Sequence, residues 1–254
     1  MNKVVKIGEV TIGDGTPKIC SSIVSQELKG LLEEIQYMQN LNVDIIEWRI
    51  DYYKNIDNQD SIKTTLKAIR KVMDNKPLLV TFRSKKEGGE KEVNAEEYKQ
   101  LNKTLIASGY IDAVDVELFS GEEIVKELVS FAHQHKVKVI ISNHDFIKTP
   151  CKEEIINRLC RMQTLEADIA KIAVMPQTPQ DVLTLLEATN SMRTQYADRP
   201  FVTMSMSRLG LISRLTGEIF GSAITFGVGK EISAPGQIAV TDLYRMLQIL
   251  HAPN

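Results

Sequence analysis

The sequence predicts an α/β fold, a (β/α)8 TIM barrel with an N-terminal β-hairpin, and three observations lead there. Short apolar runs alternate with stretches of helical period, which is how parallel βα units read. About eight such units fit within the 254 residues, the arithmetic of a closed barrel. The first run leads into SSIVSQEL without a glycine, whereas an open doubly wound sheet carries a phosphate-binding glycine fingerprint there. No linker, low-complexity tract or break in composition divides the chain. Residues 1–254 therefore read as one domain.

Residues 3–17 alternate around Gly8 (Val4, Val5, Ile7, Val10, Ile12) and close with Gly13-Asp14-Gly15. That is a hairpin signature, placed as a flap or plug outside the repeat. The spacing then predicts strands over 18–24, 43–50, 77–83, 111–118, 137–144, 168–175, 200–207 and 223–229. Leu28, Leu31, Leu32, Ile35 and Met38 form one helical stripe between strands, and Ile124, Val125, Leu128 and Phe131 form another. Capping residues are expected at Asn94 (with Glu97), Ser120 (with Glu123) and Thr178-Pro179 (with Asp181), and Thr149-Pro150 opens the helix after His144.

Composition excludes several functions. A net charge of −2 with no basic stripe argues against nucleic acid as a partner. Cys20, Cys151 and Cys160 are an odd number without CxxC spacing, which fits a reducing cytoplasm and neither a disulfide framework nor a zinc site. No apolar run approaches the roughly 18 residues of a membrane span. The polar start MNKVVKIGEV does not read as a signal peptide.

In a barrel, reactive side chains gather at the carboxyl ends of the strands. Taken in order, these offer Ser22; then Glu47, Arg49 and Asp51 at alternate positions on one face; Arg83, with Glu87 in the loop beyond; and Asp115 and Glu117. Then come His144, Lys171, Met204 and Met206, Arg214, and the loop GKEISAPGQ with Ser233 and Gln237. Each has a plain structural reading as well. Glu47 and Arg49 can be an ion pair locking the barrel, Met204 and Met206 core filler, His144 a satisfied core histidine and Glu87 a solvated loop carboxylate. Lys171 on an exposed edge would be ordinary. Inside a sheet covered on both faces, an unpartnered ammonium is costly and its pKa falls toward neutrality. So many ionisable groups aimed at one barrel mouth point to a polar ligand site.

The run Asp44-Ile-Ile-Glu47-Trp-Arg49-Ile-Asp51, the Thr81-Phe-Arg83 strand with its acidic Gly-rich loop, Ser142-Asn-His144-Asp145-Phe146 and Ala170-Lys171-Ile172-Ala173 together resemble type I 3-dehydroquinate dehydratase. The Phe201-to-Arg208 strand, Arg214 and Ser233-Ala-Pro-Gly-Gln237 fit the same family, so the likeness spans the chain. It implies a cytoplasmic shikimate-pathway lyase that converts 3-dehydroquinate to 3-dehydroshikimate, without metal or cofactor, as a homodimer. It also implies that Lys171 forms a Schiff base, His144 is the general acid and base, and Glu87 orients it. Glu47, Arg49 and Arg83 would bind ring hydroxyls, and Arg214, Ser233 and Gln237 the carboxylate end. Ser22, Met204, Met206 and Phe226 would line the pocket.

The chemistry needs these residue types. Condensing a ketone with an amine makes an iminium, a better electron sink than a carbonyl. An imidazole can then take the α-proton and return a proton to the leaving oxygen. Glu87 is expected to fix the tautomer of His144 and raise its pKa. Lys230–Gly236, flanked by glycines, is expected to act as a mobile cover. Two other readings compete: a Schiff-base aldolase, which would want a phosphate cradle at the GVGKEISAPGQ stretch, and a barrel that binds a ligand without turnover.

Overall fold

The computed structural model describes residues 4–251, apart from Asp74 and Ile232. Strands β1 (Val5–Ile7) and β2 (Val10–Ile12) pair antiparallel as the expected hairpin; Lys3, its predicted first residue, lies outside the described residues. Eight parallel barrel strands follow: β3 (Lys18–Ile23), β4 (Ile45–Arg49), β5 (Leu78–Thr81), β6 (Ala113–Glu117), β7 (Lys138–Asp145), β8 (Ile169–Val174), β9 (Phe201–Ser205) and β10 (Ile224–Val228). A short β11 (Ile238–Ala239) pairs parallel beside the last residues of β10. Most predicted strand ends are trimmed by one or two residues, where the chain already turns toward a loop.

Neighbours run β10–β3–β4–β5–β6–β7–β8–β9. The ring closes where the Ala223 N–H donates to the Phe201 carbonyl at 2.9 Å and the Thr203 N–H to the Ser222 hydroxyl at 3.0 Å. Helices α1 (Leu28–Gln39), α2 (Gln59–Val72), α3 (Ala95–Ile106), α4 (Glu122–Gln134), α5 (Lys152–Thr164) and α6 (Pro179–Ser191) each follow a strand; α7 (Ile212–Leu215) and α8 (Gly217–Phe220) precede β10, and α9 (Val240–His251) ends the described chain.

Asn94 caps α3 in a reciprocal box with Glu97, and the Asp181 carboxylate accepts the Thr178 N–H at the start of α6. Two expected caps are corrected. Gly121, not Ser120, precedes α4, because the Ser120 hydroxyl is drawn back to the Glu117 carbonyl at 2.8 Å. Helix α5 starts after Cys151, since the Thr149 hydroxyl donates across to the Met175 carbonyl at 3.1 Å.

Alternation along the strands builds two cores. Outward side chains such as Trp48, Phe82 and Ile141 meet one fully buried leucine from each of six helices: Leu31, Leu66, Leu105, Leu128, Leu159 and Leu185. Inward, Cys20, Ile45, Leu79, Ile140, Ile169 and Ile224 form the lower floor of the barrel. Ile7 and Ile12 of the hairpin, both fully buried, pack in that same cluster. Each such side chain contributes about 1.5–3 kcal/mol by leaving water, so the hairpin is a plug.

Candidate active site

Two residues along the same strands, the inward positions change character. Ser22, Glu47, Thr81, Asp115, Ser142 and Lys171 replace the apolar floor, with Ser22 in register with Glu47, Thr81 with Asp115, and Ser142 with Lys171. One step higher stand Arg49, Arg83, Glu117 and His144. Above them lies a cavity holding about 520 Å³ of unfilled space, lined by all thirteen side chains that the resemblance assigns to the site, but not by Asp51, Asp115 or Glu117, which the strand ends also offered. Gly88, Phe146, Ala173 and Ala234 complete the wall.

Lys171 is 4% exposed and its Nζ lies 4.5 Å from the centre of the Phe226 ring. Contrary to the expectation of an unpartnered amine, the Asp115 carboxylate stands 3.5 Å away. Asp115 also accepts from the Ser142 hydroxyl at 2.6 Å and pairs with Arg83 at 2.9 Å. Burial alone would push Asp115 up, but Arg83 and then Lys171 outweigh it and hold the carboxyl below the usual range.

Arg83 is the hub. Its guanidinium meets Asp115 and Glu117 at 2.9 Å each, Glu87 at 3.5 Å and the Ser142 hydroxyl at 3.0 Å. Burial works against its charge, yet Asp115, Glu117, Glu87 and Glu47 together keep it protonated more firmly than usual. Arg49 is clamped by both oxygens of Asp51 at 2.8 Å. The sequence placed Asp51 on the strand face with Arg49; it lies instead in the 3-10 turn Ile50–Tyr52, which curls it back onto that arginine. Glu47 accepts from the hydroxyls of Ser22 and Thr81, the latter at 2.7 Å.

His144 and Glu87 form a pair. One oxygen of Glu87, Oε2, lies 2.9 Å from Nδ1 of His144 and accepts the His144 backbone N–H at 2.9 Å. This leaves the opposite ring nitrogen, Nε2, for a ligand. The expectation that Glu87 raises the histidine is overturned. Burial, followed by the charges of Arg83, Lys171 and Arg49, holds His144 well below the ordinary value, while burial lifts Glu87 to about 8 against the pull of Arg83. The imidazole is thus neutral near pH 7. Gly88, at φ +84°, backs directly onto the Phe146 ring, where a side chain would collide with it.

Arg214 sits differently from the other cations. It is 2% exposed and donates to the carbonyls of Phe226 (3.3 Å) and Pro235 (3.1 Å), with the Met204 sulfur 3.7 Å away. Its Nε has no partner, and among the described residues no carboxylate pairs with it. Burial lowers it to about 10. A buried guanidinium in this state is a socket for an anion.

The 229–237 loop is folded over the cavity. The Ser233 hydroxyl donates to Ser22 at 3.1 Å, Gln237 Nε2 donates to Ser233 at 3.0 Å, and Arg49 reaches the Ser233 carbonyl at 3.4 Å. Gly236, at φ +74°, lies against the Ser207 carbonyl, leaving no room for a Cβ. Ile232, part of the expected cover, lies outside the described residues. Met204 and Met206 face inward from β9 and the turn after it, both buried.

Sequence reasoning listed Asp115 and Glu117 on one strand face but did not link them to Lys171 and Arg83. It also missed Phe146, Ala173 and Ala234, whose residue types carry no chemical signal.

The family model described as "Type I 3-dehydroquinase" matches residues 19–254. The 3-dehydroquinate dehydratase of Clostridioides difficile (strain 630) is 53% identical over 251 residues, 99% of this chain and 98% of the relative. That of Bacillus licheniformis is also 53% identical over 251 residues, 99% of each chain. Among solved structures, the type I enzyme of Clostridium difficile with covalently modified comenic acid superposes with a TM-score of 0.96 at 53% identity, covering 99% of both chains. The Geobacillus kaustophilus enzyme gives 0.95 at 38% identity over 98% of each. The chain belongs to the type I 3-dehydroquinate dehydratases, enzymes of the shikimate pathway.

Proposed function

We propose that this chain dehydrates 3-dehydroquinate to 3-dehydroshikimate through an imine on Lys171, with His144 as acid and base and Glu87 orienting it. One observation carries the reading. A buried amine and a neutral imidazole from adjacent strands share a cavity with an arginine that lacks a carboxylate partner. Neighbouring strands lie about 4.8 Å apart, so both groups reach one bound carbon skeleton. That the Clostridium difficile relative was solved with covalently modified comenic acid is in keeping with a nucleophile on the protein.

The substrate carboxylate seats on Arg214, with Ser233 and Gln237 beside it. Glu47, Arg49 and Arg83 take the ring hydroxyls, while Ser22, Met204, Met206 and Phe226 pack around the ring. The Lys171 amine adds to the ketone and water leaves, giving an iminium that Asp115 balances electrostatically. His144 Nε2 takes the α-proton, and the electrons left behind form an enamine. The enamine expels the β-hydroxyl as the imidazolium returns a proton to it. Water then hydrolyses the imine, freeing Lys171, so one water is lost overall. Once the His144–Glu87 pair has released its proton, Nε2 is open as a base, and such positioned acid–base help is worth about 10²–10⁴-fold.

Borohydride added with 3-dehydroquinate should trap an adduct that peptide mapping places on Lys171. An adduct elsewhere, or none while turnover continues, sinks the mechanism. The same reading makes the chain one catalytic domain acting in the cytoplasm, a place its three free cysteines suit. A second copy would cover apolar side chains left exposed on α7 to α9, such as Ile212, Ile219 and Ile249; sedimentation at a monomer's mass would count against the dimer.

A further inference from the structure

The two oxygens of Glu87 are used unequally. Oε2 serves His144, as described, with Arg83 3.5 Å away. Oε1 faces the side-chain amide of Asn143, whose Nδ2 donates to it at 3.2 Å. Asn143 is 3% exposed and lies on β7 between Ser142 and His144, on the opposite face from both, so it takes no part in lining the cavity.

An amide of this kind can turn either end toward a carboxylate, and only one end is a donor. Arg158 decides which. From α5 its Nη1 donates to Asn143 Oδ1 at 2.9 Å, which leaves Nδ2 for Glu87. Arg158 is itself held by Glu154 one turn earlier at 2.7 Å, by Asp145 at 3.8 Å and by the Phe119 ring 5.5 Å away.

We propose that Asn143 and Arg158 are positioning residues for the acid–base pair: Arg158 sets the amide, and the amide clamps one oxygen of Glu87 so that the other stays on His144. The inference rests on the roles proposed above for Glu87 and His144. The charged groups around the pair are Arg83 at the end of β5, Asp115 and Glu117 from β6, Lys171 from β8 and Arg49 from β4. Around Arg158 they are Glu154 and Asp145. Replacing Asn143 leaves all of these in place, and replacing Arg158 leaves the groups around the pair in place while unpairing Glu154 and Asp145, which Arg158→Lys keeps beside a cation. What both replacements change at the pair is one hydrogen bond that favours the ionised carboxylate. Without it the pair keeps its proton to higher pH.

The test compares Arg158→Met, Arg158→Lys and Asn143→Leu with the wild-type enzyme. Arg158→Met should lower kcat about 10-fold near pH 7 with KM changed by less than about twofold, the mark of a charge-assisted hydrogen bond that acts on chemistry and not on binding. The midpoint of its kcat–pH profile should move upward, and Asn143→Leu should reproduce both effects. Arg158→Lys, which restores a donor, should recover most of the lost rate. The inference is overturned if Arg158→Met keeps the wild-type midpoint and kcat, or if kcat and KM worsen together with no rescue by lysine. Borohydride trapping and His144→Ala, run alongside on the wild-type background, test the parent mechanism separately. If those succeed and the midpoint stays put, this inference alone has failed.

Discussion

The lower and upper floors of the barrel interior are built on the same strands, roughly 6.6 Å apart at two residues of rise, and have opposite chemistry. Cys20, Ile45, Leu79, Ile140, Ile169 and Ile224 make a dry lower floor sealed by the hairpin. Two positions on, Ser22, Glu47, Thr81, Ser142 and Lys171 make a polar one, with Phe226 as its apolar member. The lower floor stabilises by leaving water and asks only for volume. The upper floor is as well buried, but each of its charges loses hydration and must be matched by a partner. Stability and chemistry are thereby separated along the barrel axis, and Arg214, which no carboxylate among the described residues pairs, stays open to an anion.

The largest break in this contrast comes from the upper floor. Lys171→Met keeps the apolar stem and removes the amine, so turnover should fall on the order of 10⁴-fold or more. Stability should change little, by about 1–2 kcal/mol in either direction, because Asp115 keeps Arg83 and the Ser142 hydroxyl as partners when the ammonium is removed. A calorimetric melt together with a dehydration assay checks both halves; a collapse of the fold would show that the upper floor is structural too.

The reverse experiment is Ile45→Ala. It should cost about 2–5 kcal/mol by leaving a cavity in the lower floor. Turnover per folded molecule should stay within a few-fold, as read from urea unfolding and steady-state rates. A loss of kcat comparable to that of Lys171→Met would dissolve the separation of floors.

The smallest effect concerns pH. Glu87 and His144 titrate as a unit, and burial lifts the carboxyl to about 8. The pair therefore holds a proton below that pH and releases it above. The released form has Nδ1–H on Glu87 and an open Nε2, the base the reaction needs. So kcat/KM should rise with pH through a midpoint near 8. Glu87→Gln leaves His144 to titrate alone, and its depressed value should carry the midpoint below about 6.5, the ordinary histidine value. A midpoint unmoved by that substitution would take Glu87 out of the titration.

Much of this was legible before the structure. Strand count and order follow from apolar runs and turn residues, and period two shows which of Glu47, Arg49, Asp115 and Glu117 share a face. The caps at Ser120 and Thr149 were misread because each hydroxyl found a backbone carbonyl outside the pattern that predicts caps.

By itself the sequence determined the barrel, the inward positions and the residue types that meet at its mouth, because those depend on spacings of two to four residues along the chain. Tertiary structure alone decided the pairing of charges: Asp115 with Lys171 across 56 residues, Glu87 with His144 across 57, Ser22 with Ser233 across 211. Those pairings set which groups are neutral and which are charged. Electrostatics depends on distance in space and on the water excluded around each charge, and neither is written in the order of residues.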